Sequence, residues 1–263
     1  MNCQTESSQF SEDYTETSYW LDDISASNSK NEQWAELPKQ TDLVIVGSGY
    51  TGLNAAIETA GQGVETLVID EGDLGQGCST KNGGQISTSI KPSHKALTKK
   101  YGYEKATTIR QEGLNALNWI EDFVTRENLN CDFIRCGRFH GAHTPRQYEQ
   151  MCATINELNE ENITAHPVEK PTMNSELGTD FYHGGLVFPD NASLHPARYH
   201  RELIRLAEAR GAKLIGNCKA LKISRDRSRF VISTSKGEVV AKKLAIATNG
   251  YTSSLTPWLK RRI

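Results

Sequence analysis

The residues of this chain whose types and spacing carry chemistry lie between Gly47 and Gly84. Gly47, Gly49 and Gly52 make G-x-G-x-x-G directly after the apolar run Asp42–Val46. Asp70 stands 18 residues beyond Gly52, close to the ~20 expected of an acid that accepts hydrogen bonds from a ribose diol. Gly47 permits a tight turn off a strand. Gly49 lets a pyrophosphate approach the backbone, and Gly52 lets a helix pack closely on a sheet. A phosphate there meets free N–H groups and the positive end of a helix dipole. The chemistry implied is dinucleotide binding, with Asp70 disfavouring a 2′-phosphate. As a strand-tip acid, Asp70 is expected to contribute little packing.

Four elements must position these residues. Asp42–Val46 predicts a strand. Leu53, Ala56, Ile57 and Ala60, at i, i+3, i+4 and i+7, predict a helix that Gly61 and Gly63 end. Thr66–Ile69 predicts a second strand carrying Asp70 at its tip. This is β–turn–α–β, with its acid where the fingerprint requires it.

The stretch Gly75-Gln-Gly77-Cys78-Ser79-Thr80-Lys81-Asn82-Gly83-Gly84-Gln85 is a second glycine-rich, polar loop. A nicotinamide dehydrogenase has no need of it. A flavoprotein does, because an extended FAD needs donors along both pyrophosphate and isoalloxazine. With GSGYTGL at 47–53 and VID at 68–70, this loop resembles the D-amino-acid-oxidase-type FAD oxidoreductases, most closely their γ-glutamylputrescine oxidase-like branch. That branch reads GGGYTGL, VLE and G-x-G-A-S-G-R-N-G-G-Q. The chain departs at Ser48, a free x position, and at Asp70, which keeps the carboxylate. It also departs at Cys78, Thr80 and Lys81. Thr80 replaces a glycine and so bears on the loop backbone; Lys81 keeps the charge of arginine but loses its planar fork.

The resemblance implies an α/β fold: a doubly wound, Rossmann-like FAD-binding domain interrupted by an α+β substrate domain. On that pattern 1–37 is a polar extension, 38–98 the first part of the FAD domain, 99–190 a partial substrate domain and 191–263 the return segment. The implied FAD-binding residues are Gly47, Gly49, Tyr50, Thr51, Gly52, Asp70, Glu71, Gly77, Ser79, Lys81, Asn82, Gly83 and Gly84, joined by Leu221, Thr248 and Gly250. Ser79, Lys81 and Asn82 are expected to face the cofactor, with Cys78 shielded beneath the loop. The implied reaction is oxidation of an amine or amino acid, such as a γ-glutamylputrescine-like amine, by hydride transfer to flavin with O2 as acceptor. The flavin carries the chemistry, so no catalytic base is named. The family's chains run well beyond Ile263. The C-terminal part of the fold is therefore expected to be missing, and the chain alone to be poorly soluble and inactive. The rival readings are a nicotinamide-dependent dehydrogenase and a catalytically incomplete FAD-binding module.

Composition narrows the partners. The 263 residues carry 30 basic and 32 acidic side chains, a net charge of −2, which suggests neither nucleic acid nor an anionic membrane surface. No apolar run approaches the roughly 20 residues of a membrane span, and no signal-peptide pattern is visible. Six cysteines without framework spacing suit a reducing, cytoplasmic setting. Eight acids stand against Lys30 in residues 1–37. The first ~15 residues are expected to be disordered, with Tyr19, Trp20 and Trp34 as aromatic pegs.

Farther on, Tyr103–Asn128 predicts a helix with Leu114, Leu117, Ile120, Phe123 and Val124 as core. Asp132–Gly141 predicts a strand pair, with Cys131 and Cys136 at strand positions rather than in a metal pair. Pro145–Glu161 predicts an amphipathic helix. His195 is expected to N-cap a helix that opens at Pro196 and ends at Gly211. Strands are predicted at Lys213–Ile215, Ala220–Ile223, Phe230–Thr234 and Glu238–Thr248, with a hairpin turn at Lys236-Gly237. The last segment, Lys243–Thr248, reads as a buried parallel strand.

Overall fold

The computed structural model of the chain describes residues 18–25, 36–161, 163–252 and 254–262. The expected disordered start and the Trp34 peg lie outside these residues. The chain forms two compact units, Met1–Lys81 with Leu203–Ile263 and Asn82–Glu202.

In chain order the elements begin with α1 (Tyr19–Ser25), β1 (Gln40–Val46), α2 (Tyr50–Gly61) and β2 (Thr66–Ile69). The second unit supplies β3 (Gln85–Ser87), α3 (His94–Tyr101), α4 (Tyr103–Arg126), β4 (Arg138–Gly141), α5 (Pro145–Ala153) and α6 (Ile155–Glu160). It continues with β5 (His166–Val168), α7 (Met173–Leu177), β6 (Gly185–Phe188), β7 (Asn191–Ser193) and α8 (Pro196–Ala209), along which the chain passes back into the first unit. Then come β8 (Lys213–Ile215), β9 (Ala220–Asp226), β10 (Arg229–Thr234), β11 (Gly237–Ile246) and α9 (Pro257–Lys260).

The first unit is built on a six-stranded sheet ordered β8-β2-β1-β11-β10-β9. Strands β8, β2, β1 and β11 run parallel, and β10 and β9 close one edge as an antiparallel meander. The interior strands β1 and β2 are buried on both faces, as continuous Val/Ile/Leu runs require. Val44, Val46, Leu67 and Ile69 pack with Ile215, Ile232 and Val239. On α2, Leu53, Ala56, Ile57 and Ala60 are all buried. The hairpin turn between β10 and β11 carries Gly237 at φ +126°. The end of β11 departs from expectation: Lys243 is exposed and Leu244–Ile246 are only half-buried.

In the second unit β4, β6 and β5 form one antiparallel sheet, and β3 pairs with β7. Of the α4 residues expected as core, Leu117, Phe123 and Val124 are buried, while Leu114 and Ile120 are partly covered. Four expectations need correction. The predicted strand pair 132–141 is a strand only from Arg138, because Asp132 (φ +52°) and Gly137 (φ +71°) turn the chain. Cys131 and Cys136 are therefore not strand positions. The helix predicted over 145–161 is two helices broken at Thr154, whose hydroxyl donates to the Met151 carbonyl at 2.7 Å. Tyr19 is no peg: it is 76% exposed and meets its own neighbour Trp20 edge-on.

Candidate functional site

The turn between β1 and α2 is shaped by contacts that only glycine permits. Gly47 has φ +109°, and a Cβ there would lie 2.5 Å from the Ala247 carbonyl oxygen, just past the end of β11. A Cβ on Gly52 would lie 2.0 Å from the Gly47 oxygen and 3.4 Å from Ile45 Cγ2. The helix thus starts directly against the strand that precedes it. Gly49 is the N-cap of α2, and the Tyr50 N–H donates to Ser79 Oγ at 3.2 Å. A Cβ on Gly49 would stand 3.0 Å from that same oxygen. An oxygen acceptor at this helix N-terminus is the arrangement a phosphate oxygen fits. Thr51, in the first turn, is exposed.

Asp70 is held rather than free. Its Oδ2 accepts from the Ser48 N–H at 2.7 Å and from Ser48 Oγ at 2.6 Å, and its Oδ1 accepts from the Gly72 N–H at 3.2 Å. Ser48 is 1% exposed, so it is not the free position its place in the motif suggests. A carboxylate has about four lone-pair sites. Three are used here, leaving one on Oδ1 for a ribose hydroxyl. The clue available in the sequence was a hydroxyl residue inside the fingerprint of a chain whose acid is aspartate.

Thr80 locks the second loop. It is 2% exposed, and its hydroxyl donates to the Gly75 and Gly77 carbonyls across the short turn Cys78–Thr80. Cys78 is exposed, with the Asn249 amide 3.7 Å from its sulfur. The expectation of a shielded Cys78 is therefore corrected: Thr80 takes the inward position because its hydroxyl satisfies loop carbonyls that a thiol serves weakly. Lys81, the last residue of the first unit, is exposed, and among the described residues no acid pairs with it. In the second unit Asn82 Oδ1 accepts from the Gly84 N–H at 2.9 Å, an Asx turn. Gly84 has φ +69°, and a Cβ would meet the Leu194 carbonyl at 2.2 Å; Gly83 faces open space.

The remaining expected residues are scattered over the first unit. Glu71 pairs with Lys219 at 2.5 Å, both side chains largely exposed. A Cβ on Gly77 would come 3.7 Å from the Tyr251 ring. Leu221 is 58% exposed on the edge strand β9. The Thr248 and Thr252 hydroxyls meet at 2.7 Å, and Gly250 is exposed with no described atom within 4 Å of a Cβ. His195 Nδ1 accepts from the Arg198 N–H at 3.2 Å, the N-cap role expected of it. Burial pushes the Cys131 thiol up to about 11, which keeps it un-ionised at neutral pH. Among the described residues no cluster of His, Cys, Asp or Glu could hold a metal ion, and no helix is long and apolar enough to cross a membrane.

Comparison with known proteins agrees with this geometry. Residues 42–263 match the DAO family model, FAD dependent oxidoreductase. The probable oxidoreductase OrdL of Rhizobium meliloti is 30% identical over 221 residues, which are 83% of this chain and 51% of that protein. The gamma-glutamylputrescine oxidoreductase of Escherichia coli is 26% identical over 231 residues, 84% of this chain and 52% of that protein. The chain spans about half the length of these curated relatives. Among solved structures, glycine oxidase from Geobacillus kaustophilus superposes with a TM-score of 0.68 at 18% identity, covering 84% of this chain and 59% of that one.

Proposed function

The chain belongs to the DAO family of FAD-dependent oxidoreductases, and from that premise we propose that it oxidises an amine or an amino acid, with O2 as acceptor. The observation that carries the reading is the glycine cradle at the N-terminus of α2 beside the Asp70 carboxylate. A γ-glutamylated amine is the proposed substrate class, supported by the likeness to gamma-glutamylputrescine oxidoreductase. When bound, FAD supplies a two-electron acceptor for the C–H bond beside the substrate nitrogen.

The chain's own residues hold and orient. The Tyr50 N–H, met by Ser79 Oγ at 3.2 Å, is the proposed donor to the pyrophosphate, and Thr51 extends the same helix turn. Gly47, Gly49 and Gly52 keep side chains out of the approach to the backbone. Asp70 takes an adenosine ribose hydroxyl on its remaining Oδ1 site, and Glu71 lies beside it in sequence. Gly77, Ser79, Lys81, Asn82, Gly83 and Gly84 are proposed to line the extended cofactor, as are Leu221, Thr248 and Gly250 in the return segment. The second unit is proposed as a substrate domain. A cytoplasmic location is proposed as well, supported by six cysteines without framework spacing.

An absorption spectrum tests the reading. The purified chain is expected to bind flavin, and in a protein of the relatives' full length anaerobic addition of a γ-glutamylated amine is expected to bleach the oxidised-flavin absorption at an ordinary enzymatic rate, about 10 s⁻¹. Amine-independent spectra across a panel of amines and amino acids would remove the proposed substrate class. A nicotinamide bound in place of flavin would replace the reading with a dehydrogenase. Lys81→Glu is expected to weaken FAD at least tenfold, since one charge-assisted contact becomes a repulsion. Lys100→Glu, a charge reversal on α3, should leave the affinity unchanged. Equal affinities of the two variants would place Lys81 in solvent.

A further inference from the structure

The second unit contains a cavity of about 300 Å³ that no feature of the flavin reading uses. That volume is at the small end of ligand pockets. One face of α4 lines it through Thr107, Arg110, Gln111 and Leu114, residues at i, i+3, i+4 and i+7. The loop after β3 contributes Lys91, and the adjacent strands β4 and β6 contribute Arg138 and Phe188.

The charge on its walls is unevenly neutralised. Two acids reach the cavity, and each is engaged by another cation. Asp190 accepts from Arg135 Nη2 at 2.6 Å, and Glu161 lies 3.7 Å from Arg110 and 4.0 Å from His94. Arg138 is left over. Among the described residues no carboxylate pairs with it, and its Nε is buried without a hydrogen-bond partner. Its guanidinium sits 5.5 Å from the centre of the Phe188 ring. Burial first, and then the Arg138 charge, hold His140 below the usual histidine range, so that charge is felt locally. Arg138 as a whole is only partly buried, but a buried N–H that lacks an acceptor is rare in folded proteins. A planar guanidinium fits a carboxylate in particular, through two parallel N–H···O bonds. The rest of the wall is mixed: Leu114, Leu158 and Phe188 supply apolar surface among hydroxyl and amide side chains such as Ser93, Thr107 and Gln111.

We infer that this cavity binds a small organic carboxylate, its carboxylate on Arg138 and its aliphatic body against Leu114, Leu158 and Phe188. The inference rests on residues of the second unit alone and is independent of flavin binding. Isothermal titration calorimetry of the full chain with hexanoate, hexanol and hexylammonium at low salt tests it. Hexanoate should bind at one site roughly tenfold or more tighter than hexanol, and hexylammonium should give no saturable heat. Arg138→Gln should weaken hexanoate at least tenfold, with Arg138→Lys intermediate. Arg225→Gln changes the net charge equally, but its guanidinium stacks on Phe230 in the other unit, and it should leave the affinity unchanged. Equal affinity for hexanoate and hexanol, or no saturation with hexanoate up to about 10 mM, would overturn the proposal; in the second case water alone satisfies Arg138. The comparison of the three probes uses the unaltered chain, so it stands even if an Arg138 variant fails to fold.

Discussion

Gly52→Ala is expected to lower the unfolding free energy by about 3 kcal/mol or more. Helix propensity alone argues the other way, since alanine in place of glycine in a helix interior gains about 1 kcal/mol. Sterics decide the sign. The added methyl would lie 2.0 Å from the Gly47 carbonyl oxygen and 3.1 Å from its carbon, and both are backbone atoms that cannot rotate away. Gly47 is itself held, its N–H donating to the Ile69 carbonyl at 2.8 Å. Relief requires α2 to lift from β1, uncovering Leu53, Ala56 and Ile57. A domain stable by roughly 5–15 kcal/mol cannot absorb many losses of that size. Urea unfolding of the variant beside Gly83→Ala, where a Cβ meets nothing within 4 Å, provides the measurement. A midpoint for Gly52→Ala equal to that of the control would show that helix and strand are not in close contact.

Asp70→Ala is expected to act twice, on the protein without cofactor and on FAD affinity. Its carboxylate accepts from the buried Ser48 N–H and hydroxyl and from the Gly72 N–H. Truncation leaves those donors without an acceptor, at a cost of about 1–3 kcal/mol for each that stays buried. The loss should be about 3 kcal/mol in total for the cofactor-free protein. FAD should bind roughly 10- to 150-fold more weakly, the value of one hydrogen bond to a charged group. Asp70→Asn separates the two effects. Its amide oxygen still accepts from Ser48, so most of the stability should return while the ribose contact loses its charge. If the alanine variant unfolds at the wild-type urea concentration, the Ser48 clamp contributes nothing. If all three proteins bind FAD equally, Asp70 is not the ribose acid.

The sequence announced the strand–turn–helix–strand because two independent periodicities and three glycines coincide within thirty residues. It announced α8 because Pro196 and Gly211 bracket one apolar stripe. Other features depended on contacts between distant segments. The requirement for glycine at 47 comes from Ala247, 200 residues away. Ser48 matters only because β2 delivers Asp70 beside it. Thr80 and Cys78 exchange inward and outward positions according to which carbonyls the turn presents. The alternation over 132–141 resembled a strand pair, but positive φ at Asp132 and Gly137 breaks it, and polar residues at alternate positions do not reveal φ. The Arg138 cavity left no local signature either, since its wall is assembled from residues between 88 and 191.

The pairing of β1 with β11 joins Gln40 to Val240, and this separation sets a timetable for the nascent chain. Ribosomes add roughly 5–20 residues per second. The β1–α2–β2 unit therefore leaves the exit tunnel roughly 10–40 s before the strand that covers its open side. For that interval the hydrogen-bonding edge of β1 and the apolar face around Val44 and Val46 have no permanent partner, which makes this edge a natural client for a chaperone. The whole second unit is synthesised within the same wait. An order of assembly follows, in which the inserted unit can collapse first and the sheet that carries the glycine cradle is completed last.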